Sequence, residues 1–332
     1  MRKFRNILIL LKASCCMLFL CAKASALRDS IMGFCCEHGI SITHIAYNQF
    51  SDNETDYTLS SKVCRTDNPL NSVLIQLHHD ANCDTVNMLV LADLLQVRTI
   101  FSPYLPYARD ERVASILLGK NSCNEIFVCD IHKQIIDHDV ACACADSKRP
   151  SVFNINSIEY FKDALMDLKN SVLDDVFVFA PDEGAQSRAS LFAELLRAEL
   201  LVGQKKRHGS EIVVSIPGEF KIKNTLFAGT SSKKQCMIVD DMISSGKTIL
   251  AAIEAINALS SNVEFFVFAT HLLKESQTIF RDNSEKILEK VGKLITTNIH
   301  PTRDSISSGK VIVVDVAEFL IKKALARQAS NI

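Results

Sequence analysis

Two hydrophobic patterns alternate along most of the chain. Short, mainly apolar runs recur at 17–20 (MLFL), 72–77 (SVLIQL), 126–129 (IFVC), 176–180 (VFVFA), 211–216 (EIVVSI), 236–239 (CMIV), 263–269 (VEFFVFA) and 311–314 (VIVV). Runs of this length predict strands buried on both faces. Between them apolar positions recur at helical spacing, as in 85–96 (TVNMLVLADLLQ), 161–172 (FKDALMDLKNSV), 187–200 (SRASLFAELLRAEL), 249–259 (ILAAIEAINAL) and 319–327 (FLIKKALAR). Strands alternating with helices predict parallel sheets with covering helices. The pattern runs twice, and the halves echo one another where Asp130-Ile131-His132 and Ala269-Thr270-His271 each close a buried strand. A duplicated α/β domain is the simplest arrangement.

In such sheets ligands bind outside the carboxyl ends of the strands. Polar residues collect there in this chain: Asp130 with His132, Asp182 with Glu183 and Gly184, Asp240 with Asp241, and Arg109 with Arg112 all follow apolar runs. The most organised stretch is CMIVDDMISSGKTIL, Cys236 to Leu250, where a strand is expected to stop at Asp240 and Asp241. Ser244-Ser245-Gly246-Lys247-Thr248 then leads into a helix. Successive backbone N–H groups, a helix N-terminus, hydroxyls and a lysine suit a phosphate dianion, while the two acids can hold sugar hydroxyls. Gly246-Lys247-Thr248 also ends a nucleotide P-loop pattern, but Asp241 occupies the place of its first glycine, so a triphosphate cannot be wrapped in that manner.

Two further stretches carry charge without periodicity. Pro103 to Arg109 (PYLPYAR) combines prolines that hold an extended turn, aromatic faces able to stack on a base, and an arginine able to fork onto phosphate. Gln204 to Gly209 (QKKRHG) is expected as a basic loop between a helix and a strand, either a solvated charge run or a lid whose cations close over a transferring phosphoryl group.

The 332 residues, 48% hydrophobic and 23% charged, suffice for two domains. A net charge of −1 gives no global field for nucleic acid, so any anion site is built locally. The twelve cysteines include Cys35, Cys36, Cys129 and Cys236 in apolar runs, and are expected to be reduced core residues; Cys142-x-Cys144 is a weak zinc spacing with no second pair. The N-terminus imitates a signal peptide, with basic MRKFRN, an apolar stretch and Ala24-Ser25-Ala26. Lys12 interrupts that stretch, and cleavage after Ala26 would remove the first strand. The expectation is therefore a cytoplasmic protein whose residues 1–16 are an extension ahead of Met17.

From about Met17 onward the chain resembles the ribose-phosphate pyrophosphokinase (phosphoribosyl pyrophosphate synthetase) family. The resemblance rests on Phe50-Ser51-Asp52-Asn53-Glu54 for F-x-D-G-E, Pro103 to Arg109 for P-Y-x-P-Y-A-R, and Asp130-Ile131-His132 for D-L-H. Pro181-Asp182-Glu183-Gly184 corresponds to the pyrophosphate loop, Lys205-Lys206-Arg207 to the catalytic K-x-R, and Val239 to Thr248 to the ribose-phosphate loop. Departures are Asn53 for glycine, Asp110 for glutamine, Ala185 and Lys247 for glycine, Ser244 for aspartate and Ser245 for threonine.

The resemblance implies two duplicated phosphoribosyltransferase-type, Rossmann-like α/β domains with mainly parallel sheets: 17–160, 161–312, and a C-terminal strand and helix at 313–332. It implies transfer of the diphosphoryl group of ATP to the anomeric hydroxyl of ribose 5-phosphate, leaving AMP. Lys205 and Arg207 would be catalytic. Phe50, Asp52, Asn53, Glu54, Arg109, Asp110 and His132 would bind ATP. Asp240, Asp241, Ser244, Ser245, Gly246, Lys247 and Thr248 would bind ribose 5-phosphate. His132 and Asp182 would hold Mg²⁺. A homo-oligomer, a hexamer by resemblance, is implied, with no nucleic-acid or membrane partner. A phosphoribosyltransferase, which consumes the activated sugar, and a catalytically silent regulatory homologue are the alternatives.

Overall fold

The computed structural model describes residues 17–23, 25–45, 48–49, 55–56, 72–78, 81–118, 123–132, 150–171, 175–209, 211–218, 222, 226–227, 233–273, 277–300 and 309–329. The chain divides into two compact units, Met1–Ile155 with Asp315–Ile332, and Asn156–Val314.

The first unit contains β1 (Met17–Cys21), α1 (Ala26–Glu37), β2 (Ile42–Ile45), the short pair β3 (Asn48–Gln49) and β4 (Thr55–Asp56), β5 (Ser72–Gln76), α2 (Ala81–Leu94), β6 (Thr99–Phe101), α3 (Glu111–Leu118), β7 (Glu125–Cys129) and β8 (Ser151–Ile155). The second contains α4 (Ile158–Ser171), β9 (Val176–Ala180), α5 (Glu183–Leu196), β10 (Glu199–Val202), β11 (Gln204–His208), β12 (Glu211–Ser215), β13 (Lys234–Ile243), α6 (Lys247–Leu259), β14 (Val263–Leu272), α7 (Gln277–Lys290), β15 (Val291–Thr297) and β16 (Val311–Val314). The last helix, α8 (Ala317–Ala329), returns to the first unit and packs on α1. Its Leu320, Ile321, Ala324 and Leu325 are buried, and Arg327 Nε donates to Glu125 Oε2 at 2.8 Å.

The duplication is visible in the sheets. The first runs β2-β1-β5-β6-β7-β8 and the second β10-β9-β13-β14-β15-β16, each with a two-stranded antiparallel pair inserted after its second strand. Every neighbour pair within the two large sheets is parallel. This order corrects the expected echo. β7 corresponds to β15, so Asp130-Ile131-His132 is matched by Asn298-Ile299-His300, and not by Ala269-Thr270-His271, which closes β14.

Because helices cover both faces of a parallel sheet, both side-chain rows of its central strands are apolar. On one face of the second sheet Phe177, Phe179, Ile238 and Val267 pack with Ile249, Ile253 and Ile256 of α6. On the other, the Phe268 ring meets Phe161 of α4 at 5.4 Å and Phe192 of α5 at 5.2 Å, both edge-on. In the first unit Phe19, Leu74, Ile100 and Ile126 form the equivalent core with Met88 and Leu91 of α2 and Leu95 just beyond it. Among the described cysteines Cys21, Cys35, Cys123, Cys129 and Cys236 are buried free thiols. Cys36, expected in the core, is exposed, because α1 turns that position toward solvent. Cys142 and Cys144 lie outside the described residues. No helix among the described residues is long and apolar enough to cross a membrane.

Phe268 joins two helices to the sheet, so Phe268→Ala is expected to cost roughly 3–5 kcal/mol by opening a cavity beside the rings of Phe161 and Phe192. Denaturant unfolding at constant m-value checks this; a loss below about 1 kcal/mol would show that the cluster relaxes to fill the space.

Candidate active site

β9 and β13 are neighbours, yet the chain leaves β9 for β10 on one side and returns to β13 on the other. The winding reverses between them, which leaves a crevice at their carboxyl ends. Two of the sequence-derived candidate stretches, Pro181–Gly184 and Asp240–Thr248, come together there.

The strand does not stop at the acids. β13 continues to Ile243 because β14 is equally long and pairs with it as far as Ile243↔Leu272. On its other side β9 pairs only through Phe179↔Ile238, so Asp240 and Asp241 extend past their neighbour. Both are buried, at 9% and 1% relative exposure. Burial, then the adjacent Asp241, raise the pKa of Asp240 well above the usual carboxylate range; Arg188 opposes this and Asp182 adds to it. The Asp241 N–H donates to Asp240 Oδ1 at 2.9 Å, which fixes that carboxylate.

Arg188 is a functional group that the motif reading missed. It lies on α5 in the row of Ala185, Ala189, Phe192 and Leu196, all buried. Its Nη1 is 3.3 Å from Asp241 Oδ1 and 3.7 Å from Asp240 Oδ1. The available signal was an arginine at helical spacing within an apolar stripe, a position that demands a charged partner.

Asp182 is the N-cap of α5, accepting from the Ala185 N–H at 3.0 Å through Oδ1. Its other oxygen, Oδ2, pairs with Lys205 Nζ. Lys205 belongs to no irregular loop: Gln204–His208 is strand β11, paired antiparallel with β12 from Gln204↔Ser215 to His208↔Glu211 around Gly209, whose φ is +61°. The basic stretch therefore forms an arm. Strand alternation puts Lys205 and Arg207 on one face, opposite Val214 and Ile212, which pack on the core, and Lys206 on the other, opposite the exposed Val213.

The ribose-phosphate stretch follows β13. Gly246 adopts φ +75°, ψ −6° as the N-cap of α6 and, having no side chain, leaves the first-turn N–H groups uncapped from that position. Ser244, Ser245, Lys247 and Thr248 are half-buried around it.

In the first unit the PYAR and D-I-H segments follow β6 and β7, adjacent strands of the sheet. Each contains a non-glycine residue at positive φ, Tyr107 at +64° and Asp130 at +48°, a conformation that clusters at functional sites. Asp130 N–H donates to the Ile155 carbonyl at 2.8 Å and Ile131 N–H to Asn154 Oδ1 at 2.9 Å, which positions the half-buried His132. The Tyr107 hydroxyl donates to Asn82 Oδ1. Arg109 is exposed. Asp110 accepts from the Val113 N–H at 3.3 Å, so the carboxylate standing where the family has glutamine caps α3. Phe50, Asp52, Asn53 and Glu54 lie outside the described residues.

The arrangement is of the phosphoribosyltransferase type, and residues 151–305 match the phosphoribosyl transferase domain. Over more of the chain it is similar to the ribose-phosphate pyrophosphokinase of Mesorhizobium japonicum, 27% identical over 70% of this chain and 71% of that protein. It is also similar to that of Pyrococcus abyssi, 28% identical over 73% and 80%. In fold it matches the phosphoribosylpyrophosphate synthetase of Mycobacterium smegmatis with a TM-score of 0.69, at 19% identity, over 95% of this chain and 99% of that one. Across most of its length the chain is thus similar in sequence to ribose-phosphate pyrophosphokinases.

The raised pKa of Asp240 has a consequence for stability. The folded state keeps this proton to higher pH than the unfolded chain does, so wild-type stability falls as pH rises from the ordinary carboxylate value through the raised one. Asp240→Asn removes the ionisation. Its melting temperature is expected to exceed wild type by a margin that widens from about pH 4 to about pH 8. Thermal melts across that range check the sign, and a margin that narrows as pH rises would contradict the assignment.

Proposed function

We propose that the protein is an ATP-dependent ribose-phosphate diphosphokinase that converts ribose 5-phosphate to 5-phosphoribosyl 1-diphosphate and AMP. The observation that carries the reading is the meeting of Asp182, Asp240, Asp241 and Lys205 at the strand-order reversal of the second sheet, in a chain similar in sequence to ribose-phosphate pyrophosphokinases.

Asp240 and Asp241 hold the ribose hydroxyls, and Ser244 to Thr248 take the 5-phosphate on backbone N–H groups, hydroxyls and the Lys247 ammonium. Arg188 keeps the two carboxylates in place. Phe50, Asp52, Asn53, Glu54, Arg109, Asp110 and His132 receive ATP. The anomeric hydroxyl attacks the β-phosphorus; the bond from that phosphorus to the α,β-bridging oxygen breaks, AMP leaves with the electron pair, and the hydroxyl proton is released. Such a transfer depends on positioning and charge neutralisation. Lys205 leaves Asp182 and, with Arg207, meets the charge that redistributes over the diphosphoryl group.

Mg²⁺ fits Asp182 if that residue offers the oxygen now paired with Lys205, since this hard ion keeps water and phosphate ligands; the resemblance adds His132 as a ligand acting directly or through water. When bound it would neutralise phosphate charge. The protein acts as a homo-oligomer in the cytoplasm, with no nucleic acid or membrane required.

Incubation with ATP, Mg²⁺ and ribose 5-phosphate is expected to yield AMP, and its absence at saturating substrates would overturn the proposal. Lys205→Ala should lower kcat and kcat/KM together, on the order of 100- to 1000-fold, with little change in ribose 5-phosphate affinity. Lys247→Gly, in contrast, should act mainly on that affinity, because a phosphate contact persists unchanged through the reaction. If Lys205→Ala raised only the KM for ribose 5-phosphate, the arm would be a binding surface.

A further inference from the structure

The peptide between Ser245 and Gly246 opens α6, and a residue far along the chain holds it. The Ser245 carbonyl accepts a hydrogen bond from Asn283 Nδ2 at 2.7 Å, at the short end of the ordinary N–H···O range. Asn283 lies on α7, and this helix presses directly on the loop: a Cβ built on Gly246 would meet Ile287 Cδ1 at 2.8 Å and Asn283 Cβ at 3.3 Å. In a trans peptide the carbonyl and the following N–H point in opposite directions. With the Ser245 carbonyl tied to α7, the Gly246 N–H is turned to the side of the loop that α7 does not cover. Gly246 is left-handed and Lys247 begins a right-handed helix, the succession in which backbone N–H groups converge on an anion. The reversed peptide would present a carbonyl oxygen to that anion instead.

We propose that Asn283 is a positioning residue for the phosphate end of the sugar-phosphate site: by holding the Ser245 carbonyl it sets the peptide orientation that turns the Gly246 N–H toward the phosphate. It touches no reacting atom. This rests on the reading of Ser244 to Thr248 as the ribose 5-phosphate loop. The role predicts a specific split, in which loss of Asn283 weakens the sugar phosphate in the ground state and leaves ATP and the chemical step alone, since the phosphate is held equally throughout the reaction.

The test compares the full-length wild type with Asn283→Leu, which keeps approximate shape and loses the donor. Calorimetric binding of ribose 5-phosphate and of ATP is measured separately, alongside steady-state kinetics. Asn283→Leu is expected to weaken ribose 5-phosphate binding about tenfold, the effect of one hydrogen bond, with kcat and the KM for ATP within about twofold of wild type. Asn283→Ser keeps a hydroxyl donor on a shorter side chain, and it should fall between the two and keep the experiment decisive if the leucine variant does not fold. Wild-type affinity for ribose 5-phosphate in both variants would overturn the positioning role alone. An equal loss of ATP and ribose 5-phosphate binding would also overturn it, by making Asn283 a general structural residue. Failure of the wild type to bind ribose 5-phosphate at all would overturn the reading of the loop, and this inference with it.

Discussion

Two adjacent carboxylates near the end of a buried strand set the terms for the rest of the second unit. Removing Asp240 from water opposes its ionisation, and the adjacent Asp241 opposes it further. The local architecture answers this with placed groups: Arg188 reaches in from the apolar face of α5, and the Asp241 N–H turns back onto Asp240. The same helix that brings Arg188 is started by Asp182, whose second oxygen holds Lys205 of the arm. One short helix thus ties the pyrophosphate loop, the diacid and the basic arm into a single electrostatic unit. Removal of either sign would leave buried charge of the other without its counterpart.

Both halves of the chain use one strand order, but they load different strand ends with chemistry. In the second unit the acids stand at the reversal between β9 and β13. At the equivalent reversal between β1 and β5 the residues are Ala22 and Lys23 after one strand and Leu77 and His78 after the other. The candidate groups of the first unit lie instead after β6 and β7, where Tyr107 and Asp130 hold strained backbone. A repeated scaffold has kept its frame while its ligand-facing ends diverged.

Much of the fold could be read from the chain because a parallel sheet covered on both faces leaves uninterrupted apolar runs, and VFVFA, CMIV and VEFFVFA each became a central strand. What misled was pairing that no single segment reveals. The expected end of a strand at Asp240 failed because the length of β13 is set by β14, and the expected loop at Lys205 failed because a strand rich in lysine and arginine is held by its partner, EIVVS. The correspondence of Asp130-Ile131-His132 with Asn298-Ile299-His300 likewise depended on strand order, while residue similarity pointed elsewhere. In the site, motif spacing found the acids, the glycine and the arm. It missed Arg188, whose partner is distant in sequence, although a charged residue in an apolar stripe was a legible anomaly.

Gly203, between β10 and β11, gives the arm its mechanics. Its N–H donates to the Ala180 carbonyl at 2.8 Å, and an added Cβ would come within 2.7 Å of the Pro181 carbonyl oxygen and 2.9 Å of both Phe179 and Val214. The root of the arm is thus clamped against the mouth of the crevice, and Val214 and Ile212 of its second strand hold its inner face on the core. At about 3.3 Å per residue, Lys205 stands about 7 Å from Gly203 and the turn at Gly209 about 20 Å. The cation that faces Asp182 is therefore the one set nearest the fixed root, while the exposed tip carries the rest of the charge outward.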